Sequence, residues 1–229
     1  VVYSFASSVL TMPFTRPRRP LPRLLAAAIA TCALAEGHAE ATAIKKGPWV
    51  QRVTSTSAVV RLEVDPPSPV SVEIGDRDTI KADGGAAGPS VFESKEPHAL
   101  HTIALTNLAP ETHYAYTVKL GGAAKLAKLT TAPADDADSS FRFLVYGDNR
   151  TDDAPHASVV RAMAAVASDF LIHTGDFVER GDSATQWQTF FDIEAPLLET
   201  RCLFSAVGNH ELTDGLGIDY ARYFGPTDL

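Results

Sequence analysis

Cysteine is nearly absent from this chain of 229 residues, which contains only Cys32 and Cys202. Because Cys32 lies in an apolar leader, the rest of the chain offers neither a disulfide framework nor a cysteine-based zinc site. Long apolar runs are lacking as well, since the uncharged residues 24–35 are too few to span a bilayer. We therefore expect no integral membrane segment in the mature chain.

The N-terminal segment has the plan of a secretory signal peptide. Residues 16–23 are basic and proline-rich, residues 24–35 are apolar, and small residues recur after them. This order is typical of an export signal, and a short buried helix with a basic leader is the alternative. We interpret residues 1–45 as signal peptide and leader, and we predict export to the periplasm or the extracellular space.

Positive charge is scarce after the leader. Residues 46–229 contain 15 Lys and Arg against 26 Asp and Glu, which gives a net charge of −11. An acidic surface repels nucleic-acid backbones and anionic membranes. We therefore expect no nucleic-acid partner.

Residues 46–133 show the alternation of apolar and polar side chains that is typical of β-strands. The alternating runs lie at 57–64, 70–75, 101–108 and 114–120, and Gly, Pro, Asp and Asn cluster between them. Short runs of period two that are separated by turn residues predict an antiparallel β-sandwich.

The pattern changes after residues 134–140, a polar and acidic stretch that we interpret as a linker. In residues 141–229, short apolar runs that predict strands alternate with stretches of helical spacing. This β-α-β-α-β order predicts a parallel sheet with right-handed crossovers. The predicted fold class is a β-sandwich followed by a partial α/β domain. The strands are expected at 141–146, 170–174 and 203–207, and the helices at 154–167 and 183–198.

Each of the three predicted parallel strands ends in glycine and a residue with a short, oxygen-bearing side chain. The pairs are Gly147-Asp148, Gly175-Asp176 and Gly208-Asn209, and the last continues into His210-Glu211. Because the carboxyl ends of parallel strands meet at one crevice, these oxygens are expected to converge. Two carboxylates and an amide oxygen together need a cation, and with histidine they suit Mn, Fe or Zn in a two-metal site. One such pair is commonly an ordinary turn, but three in succession favour a reaction site.

In this order, the three blocks resemble the first three motifs of the calcineurin-like metallophosphoesterase superfamily. Residues 108–118 resemble the fibronectin type III signature around its tyrosine corner, where a tyrosine hydroxyl bonds to nearby backbone. A fibronectin III-like domain at 46–133 in front of such a core is similar to the purple acid phosphatase branch. The resemblance implies an acid phosphatase-like hydrolase that attacks a small-molecule phosphoester with a hydroxide held by two metal ions, Fe, Mn or Zn.

The resemblance also implies a role for each residue of the blocks. Asp148 would ligate the first metal ion, Asp176 would bridge both ions, and Asn209 would ligate the second. His210 is expected to hydrogen-bond the phosphoryl oxygens or to protonate the leaving group, with Glu211 orienting its ring.

The first block departs from the family pattern, which has Asp-x-His or Asp-x-Gly where this chain has Asp-Asn-Arg at 148–150. Arg150 cannot ligate a metal, because its guanidinium has no available lone pair and stays charged. It is expected either to make a bidentate contact with a substrate phosphate or to form a salt bridge with Asp152, Asp153 or Glu179.

No histidine follows His210 in this sequence. The family completes its site with a downstream histidine and a Gly-His-x-His block, so we expect residues 141–229 to be the N-terminal part of a catalytic domain with an incomplete metal site. The alternative is a catalytically incomplete homologue that binds metal weakly, or an exported β-sandwich binding protein. His173, inside an apolar strand, is expected in the core, and His156, at a helix start, is expected to be exposed.

Overall fold

The structure, a computed structural model, describes residues 42–76, 89–213 and 215–225. Residues 1–41 of the predicted signal peptide and leader lie outside the described residues. The first strand already includes Ala43, Ile44 and Lys45. Among the described residues, five strands come first: β1 Ala43–Gln51, β2 Ser57–Asp76, β3 Ser90–Thr106, β4 His113–Leu120 and β5 Ala123–Thr130.

Strand β2 is the centre of an antiparallel sheet. It pairs with β3 along one edge and with β1 and then β4 along the other, while β5 pairs with β4. The antiparallel prediction is confirmed, but these strands form one curled sheet and not two separately bonded ones. The runs 57–64 and 70–75 are one strand, because the proline-containing stretch between them is absorbed as a register shift.

The core of this sheet is made by alternate side chains of its strands. Leu62 and Val72 on β2 are fully buried, as are Leu105 on β3 and Tyr116 on β4. The hydroxyl of Tyr114 accepts a hydrogen bond from the backbone N–H of Ala109 at 2.7 Å. The hydrogen bond expected of a tyrosine corner is therefore present.

The second part of the chain contains a parallel sheet, as predicted, and its strands β6 (Phe143–Tyr146), β7 (Phe170–His173) and β8 (Cys202–Ser205) lie side by side in chain order. Side-chain caps fix where its two longer helices begin: the Asp152 carboxylate accepts from the N–H of Ala154, and the Ser183 hydroxyl accepts from the N–H of Gln186. A short third helix follows for which the sequence made no prediction. The elements are β6 Phe143–Tyr146, α1 Asp153–Ala164, β7 Phe170–His173, α2 Ala184–Leu198, β8 Cys202–Ser205 and α3 Ile218–Phe224.

The helices cover one face of the parallel sheet and meet the antiparallel sheet at a buried boundary. Trp49 of β1 is fully buried, and its ring lies 4.8 Å from that of Phe191 on α2, between centroids. Arg61 of β2 donates to the backbone oxygens of Tyr223, at 2.6 Å, and Arg222, at 2.7 Å. In the part of the chain that the structure describes, no helix has the length and apolarity that crossing a membrane requires.

The other face of the parallel sheet is open among the described residues. Phe143, Val145 and Phe204 point away from the helices and are 45%, 56% and 54% exposed. The ring of Phe170 stacks on Phe143 and meets Phe204 edge-on, with centroid distances of 5.3 and 5.5 Å. Because both faces of a parallel sheet are usually covered, this apolar surface is unusual.

Candidate functional site

The loops after β6 and β7 bring two of the predicted ligands together. Asp148 and Asp176 both have left-handed backbone conformations, with φ of 54° and 57°. Such angles are uncommon outside glycine, although aspartate tolerates them, and they concentrate at functional sites. One nitrogen of Arg150, Nη1, contacts Asp148 Oδ1 and lies 2.7 Å from Asp176 Oδ2. The two carboxylates therefore share one cationic partner.

Glycine precedes the polar strand-end residues because the loops approach one another closely. A Cβ atom at Gly208 would overlap the carboxylate and the backbone nitrogen of Asp176. Gly175 has a φ of 105°, and a Cβ there would lie 2.8 Å from the nitrogen of Gly208. The loops after β7 and β8 can close on each other only with glycine at both positions.

Glu211 is fully buried, and its carboxylate is bonded to backbone rather than to a side chain. It accepts hydrogen bonds from the N–H groups of Asp176 and Phe177, both at 2.8 Å, of Val178 at 3.3 Å, and of Gly208 at 2.9 Å. Glu211 therefore joins the two strand-end loops. The expectation that it orients the ring of His210 is not met.

The ring of His210 is oriented by Glu179 instead. Its Nδ1 donates to the backbone oxygen of Glu179 at 2.8 Å, which leaves Nε2 as the nitrogen available to a ligand. The backbone N–H of His210 also donates to Asp176 Oδ1 at 3.3 Å. Asn209, the third predicted ligand, is exposed at the surface of this loop.

Opposing effects act on the pKa of Asp176. Burial raises it, but the hydrogen bonds from Arg150 and from the His210 backbone, together with the charges of these residues, outweigh burial and leave the pKa below its usual range. Glu179 completes the group, because its Oε2 lies 3.4 Å from Arg150 Nε and accepts from the Thr151 hydroxyl at 3.2 Å. Of the three salt-bridge partners expected for Arg150, Glu179 is the one that the structure provides.

These side chains do not fit a two-metal centre as they stand. Among residues 42–76, 89–213 and 215–225, no group of three or more His, Cys, Asp or Glu side chains is arranged to hold a metal ion. The place between Asp148 and Asp176, where a cation is needed, is filled by the guanidinium of Arg150. The metal-ligand roles of Asp148, Asp176 and Asn209 stay predictions.

Behind the first loop lies a buried polar network that the sequence did not reveal. His173 is fully buried, as expected, and its Nε2 donates to Asn149 Oδ1 at 2.5 Å, while its Nδ1 accepts from the N–H of Gly175 at 3.1 Å. Burial, followed by the charge of His156, lowers the pKa of His173 to about 3. Asn149 also donates through Nδ2 to the backbone oxygen of Phe177 at 3.1 Å, which ties the first loop to the second.

The network continues to helix α2. His156 is buried and not exposed, because its Nε2 lies 2.8 Å from Oε1 of the fully buried Glu194. The Tyr146 hydroxyl donates to the other oxygen of Glu194 at 2.8 Å, and burial, followed by the Glu194 charge, raises the pKa of Tyr146. One signal could have located Glu194, since it interrupts the apolar stripe of α2 at helical spacing. The stripe comprises Trp187, Phe190, Phe191, Glu194, Leu197 and Leu198.

The fold and the site together define a class of protein. Parallel strands whose polar carboxyl ends meet at one edge are the arrangement of an α/β enzyme site. Residues 141–228 match the family model of the calcineurin-like phosphoesterases. For this part of the chain, the match confirms the prediction that was made from the strand-end blocks.

Two solved structures share the fold over most of the chain. A purple acid phosphatase, PPD1, from seeds of yellow lupin (Lupinus luteus) is similar over 80% of this chain and 41% of its own, with a TM-score of 0.62 and 17% identity. A structure of PhoD is similar over 72% of this chain and 38% of its own, with a TM-score of 0.57 and 16% identity. The chain thus spans about two fifths of each, and at these identities the likeness shows the fold. No curated protein matches the chain.

Proposed function

We propose that this chain belongs to a phosphoester hydrolase of the purple acid phosphatase-like type that acts on a small-molecule phosphoester. The observation that carries the proposal is the meeting of Asp148, Asp176 and His210 at the carboxyl edge of a parallel sheet, in a segment of the calcineurin-like phosphoesterase family. The acidic charge of the chain supports a small substrate and no nucleic-acid partner.

His210 and Arg150 are the groups proposed to meet the phosphate. Since Nδ1 of His210 donates to Glu179, Nε2 carries a proton only when the ring is charged, and in that form it can donate to a phosphoryl oxygen or pass the proton to the leaving group. The guanidinium of Arg150 has five N–H donors, so it can accept a phosphate partner in place of a carboxylate.

The proposal includes two metal ions, Fe, Mn or Zn, and only the family supports them. Asp148, Asp176 and Asn209 are their proposed ligands, but the described side chains do not complete such a centre. A functional centre needs further ligands and a different position for Arg150.

The first part of the chain is proposed to be a fibronectin III-like domain of an exported protein. The bond between Tyr114 and Ala109 and the curled antiparallel sheet support the domain. The signal-peptide plan of residues 1–45 supports export. Expression with a C-terminal tag, followed by cell fractionation, tests this; tagged protein confined to the cytoplasm would contradict export.

A catalytically incomplete homologue is the second candidate, and the position of Arg150 between the two carboxylates favours it. Hydrolysis of p-nitrophenyl phosphate in the presence of Mn²⁺, Zn²⁺ or Fe²⁺ separates the two candidates. The hydrolase proposal expects turnover that Asp176→Asn lowers at least tenfold, while Arg180→Gln, on the loop after β7, leaves it within about twofold. Equal rates for the native chain and Asp176→Asn would remove Asp176 from the mechanism, and no turnover with any of the metals would favour the incomplete homologue.

A further inference from the structure

Arg150 occupies the centre of the candidate site. Its Nη1 contacts Asp148 Oδ1 and Asp176 Oδ2 together, and its Nε lies 3.4 Å from Glu179 Oε2. The side chains of Arg150 and Asp176 are only 25% and 16% exposed, whereas that of Asp148 is 74% exposed, so the contact with Asp176 is the less hydrated of the two. A single guanidinium therefore neutralises the carboxylates that the family would use for metal.

The backbone around Arg150 is fixed on both sides. On one side, Asn149 is bonded to the buried His173 and to the backbone of Phe177. On the other, Thr151 has a φ of 86°, and its hydroxyl donates to Glu179. Because both neighbours are held, the Arg150 side chain starts from a defined point beside the two aspartates. Its direction is thus a property of the loop between β6 and α1.

A metal ion and this guanidinium exclude each other. Oxygen ligands bind Zn²⁺ at about 2.0–2.2 Å, whereas Nη1 already lies 2.7 Å from Asp176 Oδ2. Two cations bound to the same oxygens would overlap or repel, and arginine cannot release its charge by losing a proton. Metal can bind only in the fraction of molecules in which Arg150 has turned away, and its apparent affinity falls in proportion to that fraction.

We infer that Arg150 is an internal counter-cation that holds the metal-free site closed, so that a divalent cation binds only by displacing it from Asp148 and Asp176. The closed state follows from the contacts of this chain's own Arg150, whose Nη1 lies against both carboxylates. The inference rests on the proposed function only for the identity of the cation site.

Titration of Mn²⁺ into the metal-free full chain, followed by calorimetry or by the electron paramagnetic resonance of free Mn²⁺, tests the inference without any turnover. Arg150→Gln is expected to bind Mn²⁺ at least about tenfold more tightly than the native chain, and Arg150→Lys is expected to lie between them. Arg180→Gln removes the same charge from an exposed pair with Asp182 and is expected to stay within twofold of the native chain. Adding Asp176→Asn to Arg150→Gln is expected to abolish the gain.

An unchanged or weaker affinity in Arg150→Gln overturns the inference, and so does the absence of Mn²⁺ binding from every variant. If Arg150→Gln proves unfolded by circular dichroism, Arg150→Lys decides the matter: it has to bind Mn²⁺ more tightly than the native chain. A gain in Mn²⁺ affinity without phosphatase turnover would leave the inference standing and the proposed hydrolase refuted. Turnover without that gain would refute the inference and leave the proposed hydrolase standing.

Discussion

The antiparallel sheet encloses its own core, whereas the parallel sheet is packed on one face only. Leu62 and Val72 of the first sheet are completely buried by side chains of neighbouring strands. In the second sheet, Leu171 is buried against the helices, but Val145 and Phe204 on the opposite face are about half exposed. The core cluster of the first sheet is thus built without the helices, while that of the second combines the helices with Trp49 from β1.

The candidate site lies at the edge of the less covered sheet, and its loops are joined to one another by polar contacts. Glu211 joins two strand-end loops, and Asn149 joins the first loop to the second. Such a site is expected to open locally more easily than the antiparallel core. Each of the following predictions tests this difference between the two regions.

Replacement of Glu211 by alanine is expected to have the largest effect. It leaves four backbone N–H donors in a buried place without their acceptor, which is expected to cost about 3–5 kcal/mol of unfolding free energy. Hydrogen exchange should show the loss in the loops after β7 and β8, while the amides of β2 and β3 stay protected. A cost below 1 kcal/mol, or equal loss of protection in both regions, would contradict the picture.

The bond between the two regions is tested by Arg61→Met. The change removes the donors to the backbone oxygens of Arg222 and Tyr223 in the last turn of α3. We expect a loss of about 2–3 kcal/mol in unfolding free energy and faster exchange in residues 218–224. Arg161→Gln on the exposed side of α1 is the control and should change neither quantity by much. Unchanged exchange in α3 would mean that Arg61 does not hold it.

The sequence predicted the strands and the parallel sheet because alternating apolar residues, short apolar runs and helical spacing are local patterns. The function of Glu211 was not predictable, since its partners include backbone amides more than thirty residues earlier. Glu194 was missed for the same reason, as it becomes satisfied only when Tyr146 and His156 fold against it. The placement of Arg150 between Asp148 and Asp176 depends on the turn that Asn149 and Thr151 impose. Local patterns thus gave the elements, and contacts distant in sequence made the site.

The free energy of unfolding should depend on pH because of His173, which lies in the region of the parallel sheet. Its pKa of about 3 in the folded chain lies below its ordinary value of 6.5, so between these pH values only the unfolded chain binds the proton. The free energy of unfolding should therefore fall as the pH drops through this range, by about 1.4 kcal/mol per unit. Urea unfolding at several pH values measures how the free energy of unfolding changes with pH. In His173→Gln this change should be smaller by about 1.4 kcal/mol per pH unit. His113→Gln, at an exposed position where β4 begins, is the control; identical slopes in all three proteins would disprove the assignment.

The smallest effect is expected on the open face of the parallel sheet. Phe204→Ser replaces a half-exposed side chain, so stability should change by less than about 1 kcal/mol, whereas Leu62→Ala in the antiparallel core should cost about 2–5 kcal/mol. Binding of the dye ANS should fall in Phe204→Ser, because the exposed apolar surface shrinks. A loss above 2 kcal/mol would show that this face is covered in solution.

The central claim is that Arg150 is bound to Asp176 in the metal-free site, and a double-mutant cycle measures this most directly. Unfolding free energies are determined in EDTA for the native chain, Arg150→Gln, Asp176→Asn and the double variant. Because the pair is partly buried and charge-assisted, we expect a coupling energy of about 1–3 kcal/mol in favour of the native pair. A coupling energy of zero within error would show that the two side chains do not interact, and it would contradict the account of a site closed by its own arginine.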